Sequence, residues 1–345
     1  MGITIRDADL DSDREEIIRF LHENLTPDSD EFRFDWLYLA NPHGCARVWM
    51  AVDGSGRTVG ISAAFPRYFS VAGESRRTWV LGDFCIDKQY RSLGPALQLQ
   101  RMSLETLAAE EYAICYDFPS PAMMSIYARL GVRALSTQVR HMKLLSTAGR
   151  VHKFVKQRFI ADALSLIGDL VLRFRRRPQS LPEGVEFSMQ ECKFGEEIDA
   201  INFPSQSPHP VKALHSAKYL NWRYVDHPLK QYCAVAARRQ SGLVGYGVVE
   251  IDGNHSTLAD LRAMENENCL PGILAYVELL LREMNVYSIS APVLQGCHLV
   301  PHLRQAGFYP RESRPVVAYA NSKAKWHTDI HDANNWMLLY GDRDS

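Results

Sequence analysis

Three features are missing from this 345-residue chain, and each absence removes a class of function. The charge excess is missing: 39 Lys+Arg stand against 40 Asp+Glu, a formal net charge of -1. A dedicated nucleic-acid binder needs a large basic surplus to neutralise phosphates, so no nucleic-acid partner is expected. Long apolar runs are missing too, and none approaches the roughly 18 residues of a membrane span. No Cys-x-x-Cys pair occurs among Cys45, Cys85, Cys115, Cys192, Cys233, Cys269 and Cys297. An odd, scattered set reads as reduced thiols in a cytoplasmic protein, not as a disulfide framework or a zinc site. The opening stretch MGITIRDADLDSD turns acidic at once, unlike a secretory signal.

What is present is an ordinary globular composition, 46% hydrophobic and 23% charged, at a length that favours two domains. Two stretches repeat. FDWLYLANP carries Trp36, Tyr38 and Pro42, and LNWRYVDHP carries Trp222, Tyr224 and Pro228. Both read Trp-x-Tyr-x-x-x-Pro. Each precedes a strand-like run, 47–52 and 231–237, then a turn, then a second run, 58–64 and 243–249. YARLGV at 127–132 is echoed by LRQAGF at 303–308. Four matches in one order predict two copies of one mixed α/β domain.

In the first copy the pattern predicts an early helix over Ile17, Ile18, Phe20 and Leu21. It then predicts strands near 47–52, 58–72 and 78–86, a helix from Pro95 to Glu111 with Leu97, Leu104, Leu107 and Ala108 on its packed face, a buried strand 112–118 and a helix near 121–130. In the second copy 272–284 is the strong helix and 286–293 a strand. Between them, residues 146–182 form a predicted helical linker. Val151, Val155, Phe159, Ala163, Leu166, Leu170 and Phe174 recur every three or four residues, and eight basic residues stand against two acidic ones over 146–178. It reads either as a connecting helix packed on one domain or as a weak contact with an anionic membrane surface.

The stretch Arg91-Ser92-Leu93-Gly94-Pro95-Ala96 joins the 78–86 strand to the next helix. Gly94 lets backbone approach a ligand closely, and Pro95 suits the first helical position. Free amides and the helix dipole at such a start make an anion site, to which Arg91 adds charge. The alternative is an ordinary strand-to-helix turn. The arrangement of strand, QYRSLGPA and helix resembles motif A of the GNAT acyltransferase superfamily. FPSPAMMSIYARLGV resembles that family's Asn-x-x-Ala-x-x-Leu-Tyr-x-x-x-Gly-Phe stretch, with Ser120 in place of Asn, Met123 in place of Ala and Val132 in place of Phe. The resemblance covers roughly 3–145.

It implies that the loop binds the pyrophosphate of acetyl-CoA or another acyl-CoA, through Arg91, Ser92, Leu93, Gly94, Pro95, Ala96 and Ser120. It further implies that the strand residues Phe84, Cys85 and Ile86 flank a V-shaped cleft holding the thioester. A strand amide there can hold the thioester oxygen. Tyr127 would be the general acid for the departing thiolate, or else a core aromatic. Asp83 is the candidate base or amine-holding group, or else a structural carboxylate. Asp117 is a weaker candidate for orienting the acceptor. Cys85 has no His beside it and is not expected to be a nucleophile.

The second copy lacks the Arg-x-x-Gly-x-Ala loop, and Glu265 and Glu267 in MENENCLPG would repel a pyrophosphate. A degenerate domain that shapes the acceptor pocket is expected there, through Trp222, Arg223, Tyr224, Asp226 and His227, although Trp222 and Tyr224 also read as core aromatics. His327 and His331 lack a third ligand, so no metal is expected. The NWMLLYGDRDS end and Trp222–Pro228 are similar to bacterial tandem GNAT-like proteins associated with surface-polysaccharide assembly.

The expected protein is thus an α/β chain with an α+β mixed sheet: a GNAT domain at 1–145, a linker, a GNAT-like domain at 183–323 and a tail at 324–345. The expected activity is transfer of a short acyl group from acyl-CoA to an amine of a small molecule, plausibly an amino sugar, by direct attack in a ternary complex. The rivals are a Fem-like aminoacyltransferase and a non-catalytic acyl-CoA or glycan sensor.

Overall fold

The computed structural model describes residues 2–91, 93–109, 114–148, 182–190, 193–202, 210–240, 242–264, 268–320 and 330–344. The N-terminal half runs β1 (Thr4–Asp7), α1 (Arg14–Asn24), α2 (Glu31–Phe34), β2 (Arg47–Val52), β3 (Thr58–Val71), β4 (Glu74–Ile86), α3 (Leu93–Ala109), β5 (Ile114–Asp117), α4 (Pro121–Arg129) and β6 (Ala134–Leu144). The C-terminal half runs β7 (Glu186–Met189), α5 (Asp199–Asn202), β8 (Val211–Ala213), α6 (Ala217–Leu220), β9 (Gln231–Arg239), β10 (Gly242–Asp252), β11 (His255–Ala263), α7 (Leu270–Glu283), β12 (Ser288–Leu294), α8 (Leu299–Gln305), β13 (Tyr309–Ala320) and β14 (Trp336–Met337).

The repeated Trp-x-Tyr motif has the same local structure twice. A one-turn helix runs into a five-residue π-helical turn, Asp35–Leu39 in one half and Asn221–Val225 in the other. Helix α3 presents Ala96, Leu99, Ser103 and Leu107 to the sheet, three and four residues apart. Fully burying a leucine contributes about 1.5–3 kcal/mol. Leu97, expected on that face, is only partly buried.

All the strands join one mixed sheet in the order β1-β2-β3-β4-β5-β13-β6-β12-β11-β10-β9-β7. The two halves exchange their closing strands. β13 of the C-terminal half pairs antiparallel with β5, β6 of the N-terminal half pairs antiparallel with β12, and β13 and β6 pair with each other at the centre. The stretches expected as separate domains at 1–145 and 183–323 therefore share hydrogen bonds through each other's last strand. The stretch expected as a tail is woven in as well: β14 pairs with β8, which pairs with β3. Most of the expected linker, 149–181, lies outside the described residues, and so does the membrane contact expected of it. The six cysteines described are all free.

Candidate functional site

Strands β4 and β5 run parallel for three residue pairs, Thr78 with Ile114, Trp79 with Cys115 and Val80 with Tyr116, and then part. Where they part, β4 carries a bulge. Its register with β3 slips between Ile61–Cys85 and Ala63–Gly82. Asp83, inside the bulge, has φ +45°. A non-glycine residue there costs of order 1–3 kcal/mol unless its surroundings fix it. They do: the Asp83 carboxylate accepts from both Arg33 Nη atoms at 2.7 and 2.8 Å and from the Tyr38 hydroxyl at 2.5 Å. Burial pulls the Arg33 guanidinium down, but the charge and hydrogen bonds of Asp83 outweigh it and hold the group firmly in the charged form. Asp83 stands in the sequence as a candidate base or amine-holding group, or else a structural carboxylate. Both of its oxygens brace the bulge, as a buried carboxylate must be paired.

At the end of β5, Asp117 accepts from the Tyr127 hydroxyl at 2.8 Å. Gln100 Nε2 donates to that hydroxyl at 3.4 Å. Burial pushes Asp117 up to about 7, against the pull of the Tyr127 hydrogen bond. Burial, then the charge of Asp117, raises the Tyr127 phenol well above its ordinary value, so it keeps its proton at neutral pH. The two candidates are thus one unit, a phenol whose proton rests on a carboxyl that titrates near neutrality. Cys85 on β4 is buried, which pushes its thiol up to about 12, so it is no nucleophile at neutral pH.

The loop from β4 to α3 is braced by carboxylates. Asp87 accepts from Gln89 N at 2.8 Å and pairs with Arg57, and Asp53 accepts from the Tyr90 hydroxyl at 2.7 Å. Arg91 is exposed, with Nε bonded to Ile86 O at 3.3 Å. Helix α3 starts at Leu93, so Pro95 is its third residue and not its first; any of these positions lacks an intrahelical acceptor for an N–H. Ser92 and the Leu93 side chain lie outside the described residues. A Cβ built on Gly94 meets nothing within 4 Å. The start of α7 in the other half is different: the ring of Phe187 from β7 fills the place where a Cβ on Gly272 would be. A side chain on Gly94 would thus point into open space, whereas one on Gly272 would meet the Phe187 ring. Glu265 and Glu267 lie outside the described residues. Ser120, expected beside the cofactor, caps α4 by accepting from Met123 N at 3.2 Å, next to Pro121. Ala96 is buried on the sheet side, Ile86 is buried at the strand end, and Phe84 is partly buried.

The acceptor candidates of the second half fall elsewhere. Trp222 is buried against Trp36, with ring centroids 4.7 Å apart. Tyr224 is a buried core aromatic. His227 packs at 4.1 Å on the Trp36 ring and accepts from Leu229 N and Lys230 N, and burial pushes it down to about 3. Asp226 pairs with Lys193 at the surface. Trp222 and His227 thus pack on Trp36, where the repeated motif joins the halves. Arg223 donates to the Arg343 carbonyl of the segment Tyr340–Asp344, and the Tyr224 hydroxyl reaches that segment at Gly341. Nothing in the sequence singles out Arg33 or Arg67, and the NWMLLYGDRDS end stands out there without a role at the fork; Tyr38 could have been found from its repeat. His331 is described and His327 is not.

At the fork the splayed strands, the bulge and the Asp117–Tyr127 pair come together. Residues 4–134 match the model of an acetyltransferase (GNAT) domain. Solved structures agree in fold. A probable N-acyltransferase from Enterococcus faecalis V583 has a TM-score of 0.65 at 12% identity, covering 93% of this chain and 72% of its own. A GCN5-related N-acetyltransferase from Anabaena variabilis ATCC 29413 has a TM-score of 0.63 at 10% identity, covering 92% and 72%. One from Kribbella flavida has a TM-score of 0.55 at 12% identity, covering 92% and 72%. A comparison with curated proteins finds no match. Among the described residues no helix is long and apolar enough to cross a membrane.

Proposed function

We propose that the N-terminal half binds an acyl-CoA and delivers its thioester into the fork between β4 and β5, where a small-molecule amine attacks it directly. The observation that carries this reading is the contrast at the two helix starts: Gly94 faces open space, whereas Gly272 is covered by Phe187. The free amides of the first turn of α3, with the helix dipole behind them and Arg91 beside them, would hold the diphosphate. A β4 amide beyond Val80, where β5 no longer pairs with it, is free to meet the thioester oxygen. Tyr127 would protonate the leaving thiolate and recover its proton from Asp117, and the proton lost by the attacking nitrogen would return Asp117 to its starting state, so that one N–H proton ends on the thiol.

Asp83, with Arg33 and Tyr38, positions the strand. The C-terminal half closes the cleft and contributes the exchanged strand β13. Amino sugars are the first acceptor class to try. Thiol release from acetyl-CoA across an amine panel tests the reading. Amine-dependent release supports it, and tight CoA binding with no release from any amine would point to a sensor.

A further inference from the structure

The segment Tyr340–Asp344 lies across the fork. The Asp342 carbonyl accepts from the Tyr116 hydroxyl at 2.7 Å. The Asp342 carboxylate meets His215 Nε2 at 3.1 Å and accepts from Leu339 N at 2.7 Å. The Asp344 side chain fills the place of a Cβ on Gly82, next to the bulge. Between these two, the Arg343 carbonyl receives two guanidiniums, from Arg67 Nη2 at 3.3 Å and Arg223 Nη2 at 3.4 Å.

Both arginines are 1% exposed, and among the described residues neither is ion-paired. Arg67 donates once more, to Pro66 O at 2.9 Å. Arg67 Nε, Arg223 Nε and Arg223 Nη1 are buried with no acceptor. Aromatic faces line the rest: Arg67 lies over Tyr219 and Trp222, and Arg223 over Trp36, at 5.5 to 5.7 Å. A cation–π contact contributes about 2 kcal/mol when desolvated. Burying an unpaired ion costs several kcal/mol. One neutral oxygen does not offset two such charges. Burial pulls the Arg223 guanidinium down, and Tyr232, Tyr219 and Tyr224, with Asp344 of the segment behind them, hold it charged through space.

We propose that Arg67 and Arg223 are the subsite for a carboxylate on the acceptor, which replaces the Arg343 carbonyl when the segment 340–344 withdraws. A carboxylate offers two planar oxygens with about four lone-pair sites, and it pairs with arginine forks bidentately. The three orphaned N–H groups are what it would satisfy. The proposal rests on the N-acyltransfer reading for its direction. Tyr116, which holds the segment, is the last β5 residue paired with β4, and the next residue is Asp117, which holds Tyr127. The acceptor is then an amine that also carries a carboxylate.

Calorimetric titration of the whole protein with acetate, and with acetamide as the neutral match, tests the subsite without turnover. Acetate should bind and acetamide should not, and Arg67→Met and Arg223→Met should each weaken acetate at least tenfold. Arg140→Met, which removes an exposed arginine, should leave binding unchanged. Equal acetate binding in all four proteins, or none in the wild type, overturns the proposal. Thermal midpoints of the two buried variants should be unchanged or raised; midpoints that fall, with acetate binding intact, would make both arginines structural and overturn it too. In thiol release, amino acids should exceed their amides at least tenfold in kcat/KM, and both variants should erase that preference. Release without the preference defeats this proposal alone, whereas no release from any amine defeats the N-acyltransfer reading.

Discussion

Trp36 and Trp222 hold each other reciprocally: the indole N–H of each donates to the backbone carbonyl of the other, both at 2.9 Å, over stacked rings. Contacts in which residue i meets j and j meets i are the mark of two-fold symmetry. Here the symmetry lies within one chain, between motifs 186 residues apart, and the exchanged strands β6 and β13 extend it. Trp36→Ala or Trp222→Ala should each cost about 3–5 kcal/mol, as for other large buried truncations. The double variant should cost clearly less than the sum, because the pair is shared. Denaturant unfolding of the three proteins checks this; strict additivity would mean the two residues act alone.

The two helix starts predict opposite effects of substitution. Gly94→Asp should abolish CoA binding, since a carboxylate would stand where the phosphates go, and it should change stability little because the space is open. Gly272→Ala should leave CoA binding intact and destabilise the fold, since the Phe187 ring must shift; overpacking typically costs about 1–3 kcal/mol. Calorimetry and thermal unfolding together read both outcomes.

Removing the phenol should affect rate and not affinity. Tyr127→Phe should lower kcat by about 10²–10⁴-fold, the usual contribution of a positioned acid, with CoA affinity kept. Unchanged turnover would free Tyr127 of the role.

Asp117 makes stability depend on pH. Its folded value is raised to about 7 by burial, above the ordinary carboxylate range near 3.9. The folded state therefore binds the proton more tightly. This contribution is fully present below about pH 4 and is lost as pH rises through 7. Asp117→Asn should flatten that part of the stability profile. An unaltered profile would show that Asp117 is ionised in the folded protein.

Asp83 separates bracing from catalysis. Asp83→Asn leaves Arg33 buried without its anion, and breaking such a pair typically costs about 3–5 kcal/mol. Urea unfolding should show a loss of that order. A variant of native stability whose kcat alone has fallen would return Asp83 to the role of base.

Much of the fold was legible because it is local. Periodicity located β2, β3, α1, α4 and α7 within a few residues, and the repeated Trp-x-Tyr motif announced two halves. The strand exchange was not legible, since nothing in residues 134–144 or 309–320 tells which half they will pair with; register across a sheet is decided by partners distant in sequence. The loop at 91–96 and Tyr127 were readable as motifs. Asp83 was read as chemistry because its partners Arg33 and Tyr38 lie 50 and 45 residues away. His227 reads as a pocket residue and Trp222 as either a pocket residue or a core aromatic, and their packing against Trp36 is a long-range event. Arg67 carries no motif at all. Its meaning comes only from meeting Arg223 and the segment 340–344 in the buried interior.

The account turns on where the nucleotide end of the donor sits. A crystal structure with acetyl-CoA should place the diphosphate within hydrogen-bonding distance of the amides of residues 93–96 and the thioester beside β4 beyond Val80. A diphosphate bound at the start of α7, near Gly272, or a start of α3 still empty with CoA bound elsewhere, would contradict it.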